Sequence, residues 1–314
     1  MTNPHDPENQ SDNPYPSYPS TPHPEDSPGY GSQPYQGYQG YAGYSGTPGA
    51  AGSQGQTTGD GKVRPMEAVG WGFRQTFRNW HVWIIGMLLL IVSAIAFSFI
   101  TGAVFGTNAA DPAAQLSPGY QVSQVVMWVI YGALSVFIYH ATLRQVDKDK
   151  IGWGDFGGNV NFWPSFGVLV VLQVASGLVF SAVLIPLMMG GTEIADAQMA
   201  SQDEALAVLA QLFAALGIVM VLALLISPLT MFMVWYAVDR RASFGGSFGA
   251  GFRAGARNYL TLLLFSLLAG LAALVLTLIT FGLAMIIVAP ALTLAQAYMF
   301  RQAAQGPLPA RQPA

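Results

Sequence analysis

Five long stretches of this chain contain no Asp, Glu, Lys or Arg, and they constrain its fold more than any other feature. They cover residues 80–105, 122–143, 162–189, 205–238 and 259–300. A helix needs about 20 mainly apolar residues to cross the hydrocarbon core of a bilayer. Only 9% of the residues are charged, against about 25% in soluble domains. The pattern therefore predicts an all-α integral membrane protein.

The fifth stretch is about twice as long as one span requires. Thr280, Phe281 and Gly282 lie near its middle and favour a tight turn. We therefore predict two helices here, 259–279 and 283–300, and six transmembrane helices in all. The alternative is one very long tilted helix, which would give five spans and place the C-terminus outside.

The distribution of basic residues favours six spans. All 13 Lys and Arg residues lie on the same side of the predicted membrane domain as the N-terminus. The two loops on the other side, 106–121 and 190–204, contain acids but no Lys or Arg. The positive-inside rule then predicts a multi-pass protein of the cell membrane with both termini in the cytoplasm. Five spans would leave Arg301 and Arg311 outside.

The segments before the first and fifth spans repeat one motif. Residues 72–80 and 251–259 both read G-F-R-x-x-x-R-N-aromatic. Before the third span, Trp153, Phe156, Val160 and Trp163 keep only the apolar spacing. We therefore predict three tandem two-helix units, each preceded by a cytoplasmic interfacial helix.

The two closely matching copies of this motif, residues 72–80 and 251–259, each combine an apolar stripe with arginines. Phe73 and Phe77 continue such a stripe in the first copy, as do Phe248 and Phe252 in the second. This arrangement is typical of helices that lie at headgroup depth. The candidate contacts to lipid headgroups are Arg74, Arg78, Asn79, Arg253, Arg257 and Asn258. The alternative is plain interfacial anchoring without headgroup recognition.

None of the predicted spans has an ionisable residue near its centre, where proton and ion relays need one. The candidates for a cavity or gate are polar or helix-kinking residues: Gln173, Pro186, Pro228, Pro290 and Gln296. The alternative for these residues is ordinary helix packing. The chain has no cysteine and no recognisable catalytic motif. We therefore expect no catalytic, cofactor or metal site.

The segment before the membrane domain has a different composition. Residues 1–62 are rich in Pro, Gly and Tyr, and Tyr35, Tyr38, Tyr41 and Tyr44 recur every third residue. Such a segment buries too little apolar surface to fold, so we predict a disordered cytoplasmic tail. The membrane domain then covers 63–303, and a short tail covers 304–314. The long tail is either a site for cytoplasmic protein partners or a solvated, entropic chain.

A Pro/Gly/Tyr-rich tail before a multi-span domain resembles the proline- and glycine-rich transmembrane proteins of mycobacteria and corynebacteria. Residues 66–300 are similar to a broad set of six-helix bacterial membrane proteins of unknown function. That set includes the membrane domain attached to some glycerophosphodiester phosphodiesterases. The similarity rests on residues 244–257, the final hairpin and the segment from Pro290 to Tyr298. The catalytic domain of those enzymes is absent, so the resemblance implies a bacterial cytoplasmic-membrane location and no assigned reaction.

These observations lead to two functional hypotheses. The first is a non-enzymatic protein that organises or assists cell-envelope processes through its tail, with membrane lipids and cytoplasmic proteins as partners and no nucleic acid. The second is a transporter or translocase of a lipid or small apolar solute, for which we expect a cavity that reaches both Gln173 and Gln296. An intramembrane enzyme is disfavoured because the spans lack the polar groups that site chemistry needs.

Overall fold

The computed structural model describes residues 57–105, 117–195 and 202–309. Most of the predicted tail and parts of both loops on the far side lie outside these ranges. Nine helices are described: α1 (Pro65–Arg78), α2 (Trp80–Phe105), α3 (Pro118–Asp147), α4 (Phe162–Ala195), α5 (Gln202–Thr230), α6 (Met233–Val238), α7 (Phe244–Arg257), α8 (Tyr259–Ile279) and α9 (Met285–Ala303). A short 3-10 helix covers Trp153–Phe156. Two short strands, β1 (Thr57–Thr58) and β2 (Pro307–Leu308), pair antiparallel.

The chain is an all-α membrane protein. Five segments are long and apolar enough to cross a bilayer: Trp80–Phe105, Pro118–Asp147, Phe162–Val183, Leu209–Val238 and Tyr259–Ile279. The fourth includes both α5 and α6, which are separated by a turn just after Pro228. Helix α9 is not among the five. Its sequence includes Gln296, and its last turn contains Arg301 and Gln302.

The predicted break inside residues 259–300 is confirmed. Helix α8 ends at Ile279 and α9 begins at Met285. Between them, Phe281 and Gly282 adopt φ of 50° and 89°, a left-handed conformation that suits glycine. The Thr280 hydroxyl caps the turn by accepting a hydrogen bond of 2.9 Å from the backbone N–H of Ala284. One continuous helix is therefore excluded.

Burial is concentrated at one end of the bundle, where α1, α7 and both β-strands lie; we call this the basal end. Trp235, Phe300 and Gln302 are fully buried there. At the opposite, distal end, Phe99 is 75% exposed and Phe281 96% exposed. Apolar helix surface of this kind is solvated by lipid chains. The membrane helices are thus held together mainly through their basal ends.

Helices α1 and α7 pack on the bundle through their small residues. Helix α1 lies against α9, and α7 lies against α5 and α6. A Cβ atom on Gly72 would lie 2.3 Å from the carbonyl oxygen of Ala291, and one on Gly255 would lie 2.1 Å from that of Pro228. In both places a glycine lets the backbones of two helices touch beside a helix proline.

The predicted apolar stripes lie on the outer sides of these helices. In α1, Met66 is 84% exposed and Phe77 is 54% exposed. In α7, Phe244 and Phe252 are 43% and 48% exposed. The buried face of α1 is instead formed by Ala68, Trp71, Gly72, Gln75 and Thr76. Phe77 and Phe252 are therefore exposed on the side away from the bundle, whereas Phe248 packs against the core and the ring of Phe244 lies close to Gly167 of α4.

Two glycines in α1 provide a matched test of this packing. We expect Gly72→Ala to destabilise the protein by about 1–3 kcal/mol, because the new methyl group overlaps the α9 backbone. Gly70 has no atom within 4 Å of the position of an added Cβ, so Gly70→Ala should be neutral or stabilise by up to about 1 kcal/mol through helix propensity. Thermal unfolding in detergent measures both variants. Equal stability of the two would contradict the close contact.

Candidate functional site

Asn79 joins α1 and α2 to the chain segment that follows α3. Its side chain is fully buried. The amide group donates to the carbonyl oxygen of Asp149 at 3.2 Å, and Oδ1 accepts from the backbone N–H of Ile151 at 3.2 Å. The amide also lies 3.2 Å from Oε1 of Gln75. The polar atoms of Asn79 are therefore used inside the protein.

Asn258 makes the same kind of contact from the junction of α7 and α8. Its Oδ1 accepts from the backbone N–H of Val63 at 3.0 Å, and its amide donates to the carbonyl oxygen of Gly61 at 3.2 Å. Residues 57–64, which we call the tail root, are held further by Gln302. The backbone N–H of Arg64 donates to the side-chain Oε1 of Gln302 at 2.8 Å. The backbone N–H of Gly61 donates to the backbone carbonyl oxygen of Gln302 at 3.0 Å.

Asn161 is a third such asparagine that the sequence reasoning missed. It stands directly before α4, and its amide donates to the carbonyl oxygen of Ala237 at 2.7 Å. The available signal was the dipeptide Asn-aromatic, which precedes the first, third and fifth spans as Asn79-Trp80, Asn161-Phe162 and Asn258-Tyr259. Each asparagine hydrogen-bonds to a distant part of the chain. Asn79 binds the segment before the 3-10 helix, Asn161 binds the end of α6 before α7, and Asn258 binds the segment before α1.

The segment bound by Asn79 has an ion pair of its own. Lys148 Nζ donates to Asp155 Oδ1 at 2.6 Å, and the backbone N–H of Gly152 donates to Asp155 Oδ2 at 2.9 Å. The hydrogen bond from Lys148 holds the pKa of the Asp155 carboxyl below its usual value. The carboxylate therefore stays ionised and closes the turn that leads into the 3-10 helix.

The arginines of the predicted headgroup set behave differently from its asparagines. Arg74, Arg253 and Arg257 have exposed side chains. Arg78 is 35% exposed and lies 3.4 Å from Asp149. The structure thus leaves the arginines at the surface beside the outward phenylalanines, whereas Asn79 and Asn258 bind the protein itself. Contact of these arginines with lipid stays a prediction.

Arg301 connects the basal ends of three helices. Only 7% of its side chain is exposed. Nη1 donates to Asp239 Oδ2 at 3.0 Å, just after α6, and Nη2 donates to both carboxylate oxygens of Asp147 at 3.1 Å, at the end of α3. Arg241 also contacts Asp239 Oδ2, through Nε at 2.6 Å. Removing Asp239 would leave the buried Arg301 charge with less compensation, and breaking a buried pair in this way costs roughly 3–5 kcal/mol. Arg301 therefore stays fully paired only while the three helix ends remain together.

A cavity of about 180 Å³ lies beside this cluster. Its lining residues come from α3, α9 and the segments around Asn159 and Asp239: His140, Leu143, Arg144, Asp147, Asn159, Val238, Asp239, Arg240 and Arg301. A single water needs roughly 10–15 Å³ of such space. The cavity can therefore hold several waters or a small polyatomic ion.

Two lining residues of this cavity adopt left-handed backbone conformations. Asn159 has φ of 53° and Arg240 has φ of 56°. Arg240 Nη2 donates to Asn159 at both its carbonyl oxygen, 2.9 Å, and its Oδ1, 2.8 Å. Asparagine tolerates this conformation, whereas a long side chain adopts it only where the surroundings impose it. The fold thus holds the Arg240 guanidinium at the cavity at some cost in backbone strain.

Gln173 and Gln296, two of the residues predicted to form a membrane cavity or gate, do not line the same one of the two cavities described for residues 57–105, 117–195 and 202–309. Gln173 lines a space of about 20 Å³ between α3 and α4, enough for one water, and Gln296 is not among its lining residues. Pro228 and Pro290 lie inside α5 and α9 at the close approaches of α7 and α1. Pro186 lies within α4, and the structure does not describe its side chain.

The sequence analysis used Arg301 only to orient the protein in the membrane. It did not predict that Asp147 and Asp239 form ion pairs with Arg301. A signal was present, because Val146-Asp147 and Val238-Asp239 end two of the return helices in the same way. Nothing in the sequence, however, shows that a charge at the end of a third helix fits between them.

The chain matches no protein-family model, no curated protein and no solved structure.

Limited trypsin digestion tests the roles of the two repeat asparagines. Asn258→Ala removes the partners of Gly61 and Val63, on either side of the cleavage site at Lys62. Two hydrogen bonds of about 1 kcal/mol each correspond to at least about tenfold faster cleavage there through local opening.

Asn79→Ala serves as the matched control, since its segment contains Lys148 and Lys150. It should accelerate cleavage at these two residues rather than at Lys62. Cleavage that rises equally at both places in both variants would show general destabilisation and contradict the local role.

Proposed function

We propose that this protein is a non-enzymatic membrane scaffold that presents its Pro/Gly/Tyr-rich tail at a fixed place on the cytoplasmic face. The observation that carries the proposal is the anchoring of the tail root. Asn258, Gln302 and strand β2 together bind residues 57–64 through their backbone. A tail that served only as a loose entropic chain would not need its last residues held by the core of the membrane domain. This favours a role for the tail in recruiting cytoplasmic proteins to cell-envelope processes.

Six crossings are proposed because the two ends of the membrane domain meet. Strand β1 precedes the first span and β2 follows α9, and the two strands pair. Segments that hydrogen-bond to each other lie on the same side of a membrane, so the chain between them crosses an even number of times. Helix α9 is then the sixth span, and it packs against α1, α2 and α3.

The basic residues orient this arrangement. The basal end carries the interfacial helices and their arginines, and the positive-inside rule assigns it to the cytoplasm of a bacterial cell. The exposed phenylalanines of α1 and α7 then lie at headgroup depth, and Arg74, Arg78, Arg253 and Arg257 are placed for membrane lipids. A proline- and glycine-rich transmembrane protein of the mycobacterial type would have this layout.

Three tandem units are supported by the pattern of contacts. The 3-10 helix lies against α3, α7 lies against α5 and α6, and α1 lies against α9. Each interfacial element thus packs on the return helix of the unit before it, and the first unit packs on the last. The three asparagines follow the same cyclic order, so the units form a closed ring whose closure includes the tail root.

Transport of a lipid or small apolar solute is the second candidate function. It is favoured by the prolines inside α5 and α9. The small cavity at Gln173 does not reach Gln296, and both prolines lie where interfacial helices pack. Both prolines therefore have a packing role, which makes the scaffold the stronger proposal.

Deletion of residues 2–56 tests recruitment by the tail while it preserves the tail root. Proteins crosslinked in cells to the full-length chain should be lost from the deletion variant. A variant with a tail of the same composition in scrambled order shows whether the sequence or only the composition is recognised.

An unchanged set of crosslinked proteins after deletion would refute the scaffold proposal. The thermal stability of the deletion variant should equal that of the full chain, because the deleted residues precede β1. This control separates a loss of partners from a loss of folding.

A further inference from the structure

The cavity beside Arg301, which we call the basal cavity, is surrounded by more arginines than are needed to neutralise its acidic residues. Asp147 and Asp239 are paired with Arg301, and Asp239 also with Arg241. Two carboxylates are thus matched by two guanidinium groups. Arg144 and Arg240 line the same cavity as additional cations.

The hydrogen bonds of these two arginines leave donors for a ligand. Arg240 uses Nη2 for Asn159. Within residues 57–105, 117–195 and 202–309, Arg144 makes a long hydrogen bond of 3.5 Å, from Nε to Nε2 of His140. Arg301, which lines the cavity too, has a buried Nε without a hydrogen-bond acceptor among the described residues. Arginine N–H groups in this number suit an anion with several oxygen atoms.

We propose that this cavity is a binding site for a phosphate group, with Arg144 and Arg240 as its principal ligands and Asn159 as a further lining residue. The volume of about 180 Å³ accommodates such a group. The site lies where α3 leaves the apolar region, at the level of the lipid headgroups if the basal end is cytoplasmic. The phosphate can therefore come from an anionic lipid or from solution. This site does not depend on the role of the tail.

Binding is measured on the full-length protein with two probes. The first is inorganic phosphate added to protein in an uncharged detergent, with chloride at equal ionic strength as the reference, followed by thermal shift and calorimetry. The second is phosphatidic acid against phosphatidylcholine, measured as lipid retained in native mass spectrometry. A response to both probes indicates a general phosphate site, and a response to the lipid alone indicates a headgroup site. Either result supports the proposal.

The test variant is Arg144→Gln combined with Arg240→Gln, and the control is Lys62→Gln combined with Lys150→Gln, which removes the same charge from exposed positions outside the cavity and outside the candidate headgroup set. Loss of a charge-assisted hydrogen bond weakens binding by about tenfold or more. The cavity variant should therefore bind at least about tenfold more weakly, and the control should bind like the wild type. Equal weakening of both variants, or no response of the wild type to either probe, would overturn the proposal.

Asn159→Asp provides a second variant in case the arginine variant does not fold. Aspartate retains the acceptor for Arg240 and tolerates the left-handed backbone. It adds a negative charge to the lining of the cavity, so it should weaken phosphate binding while the unfolding temperature in chloride stays unchanged. Unchanged phosphate binding in this folded variant would also count against the site.

Discussion

The buried guanidinium of Arg301 is the interaction on which the rest of the structure depends. It can pair with Asp147 and Asp239 only if the ends of α3, α6 and α9 meet at one level. A charge buried without these partners would be costly, so the three helix ends are tied to one another. In the part of the chain that the structure describes, the distal ends have no ion pair of this kind, and they expose their apolar surface.

The same helix end also holds the two ends of the membrane domain together. Gln302, next to Arg301, binds the tail root at Gly61 and Arg64. The residues after α9 return along the tail root as strand β2. One helix end therefore anchors both the ion-pair cluster and the segment from which the tail extends, and the scaffold proposal follows from that coincidence.

The sequence predicted the coarse fold well, because hydropathy alone determines which segments can enter a membrane. The end of α8 at Ile279 and the turn at Thr280 were predicted correctly, since a charge-free stretch twice the length of a span has to turn. The partners of the polar residues were not predictable in this way. Asn79 and Asn258 resemble surface residues beside arginines in the sequence, yet both bind backbone groups of distant segments. The basal cavity was missed for the same reason, because its residues are brought together only by the packing of helices far apart in the chain.

The most direct test of this account is the sidedness of two positions that flank α9. The native chain contains no cysteine, so Phe281→Cys and Gln305→Cys each introduce a single thiol at an exposed position. A membrane-impermeant maleimide added to intact cells, with the outer membrane opened where one is present, should label Phe281→Cys and leave Gln305→Cys unlabelled until the cytoplasmic membrane is permeabilised. Labelling of Gln305→Cys in intact cells would place the end of α9 outside and contradict a cytoplasmic cluster at Arg301.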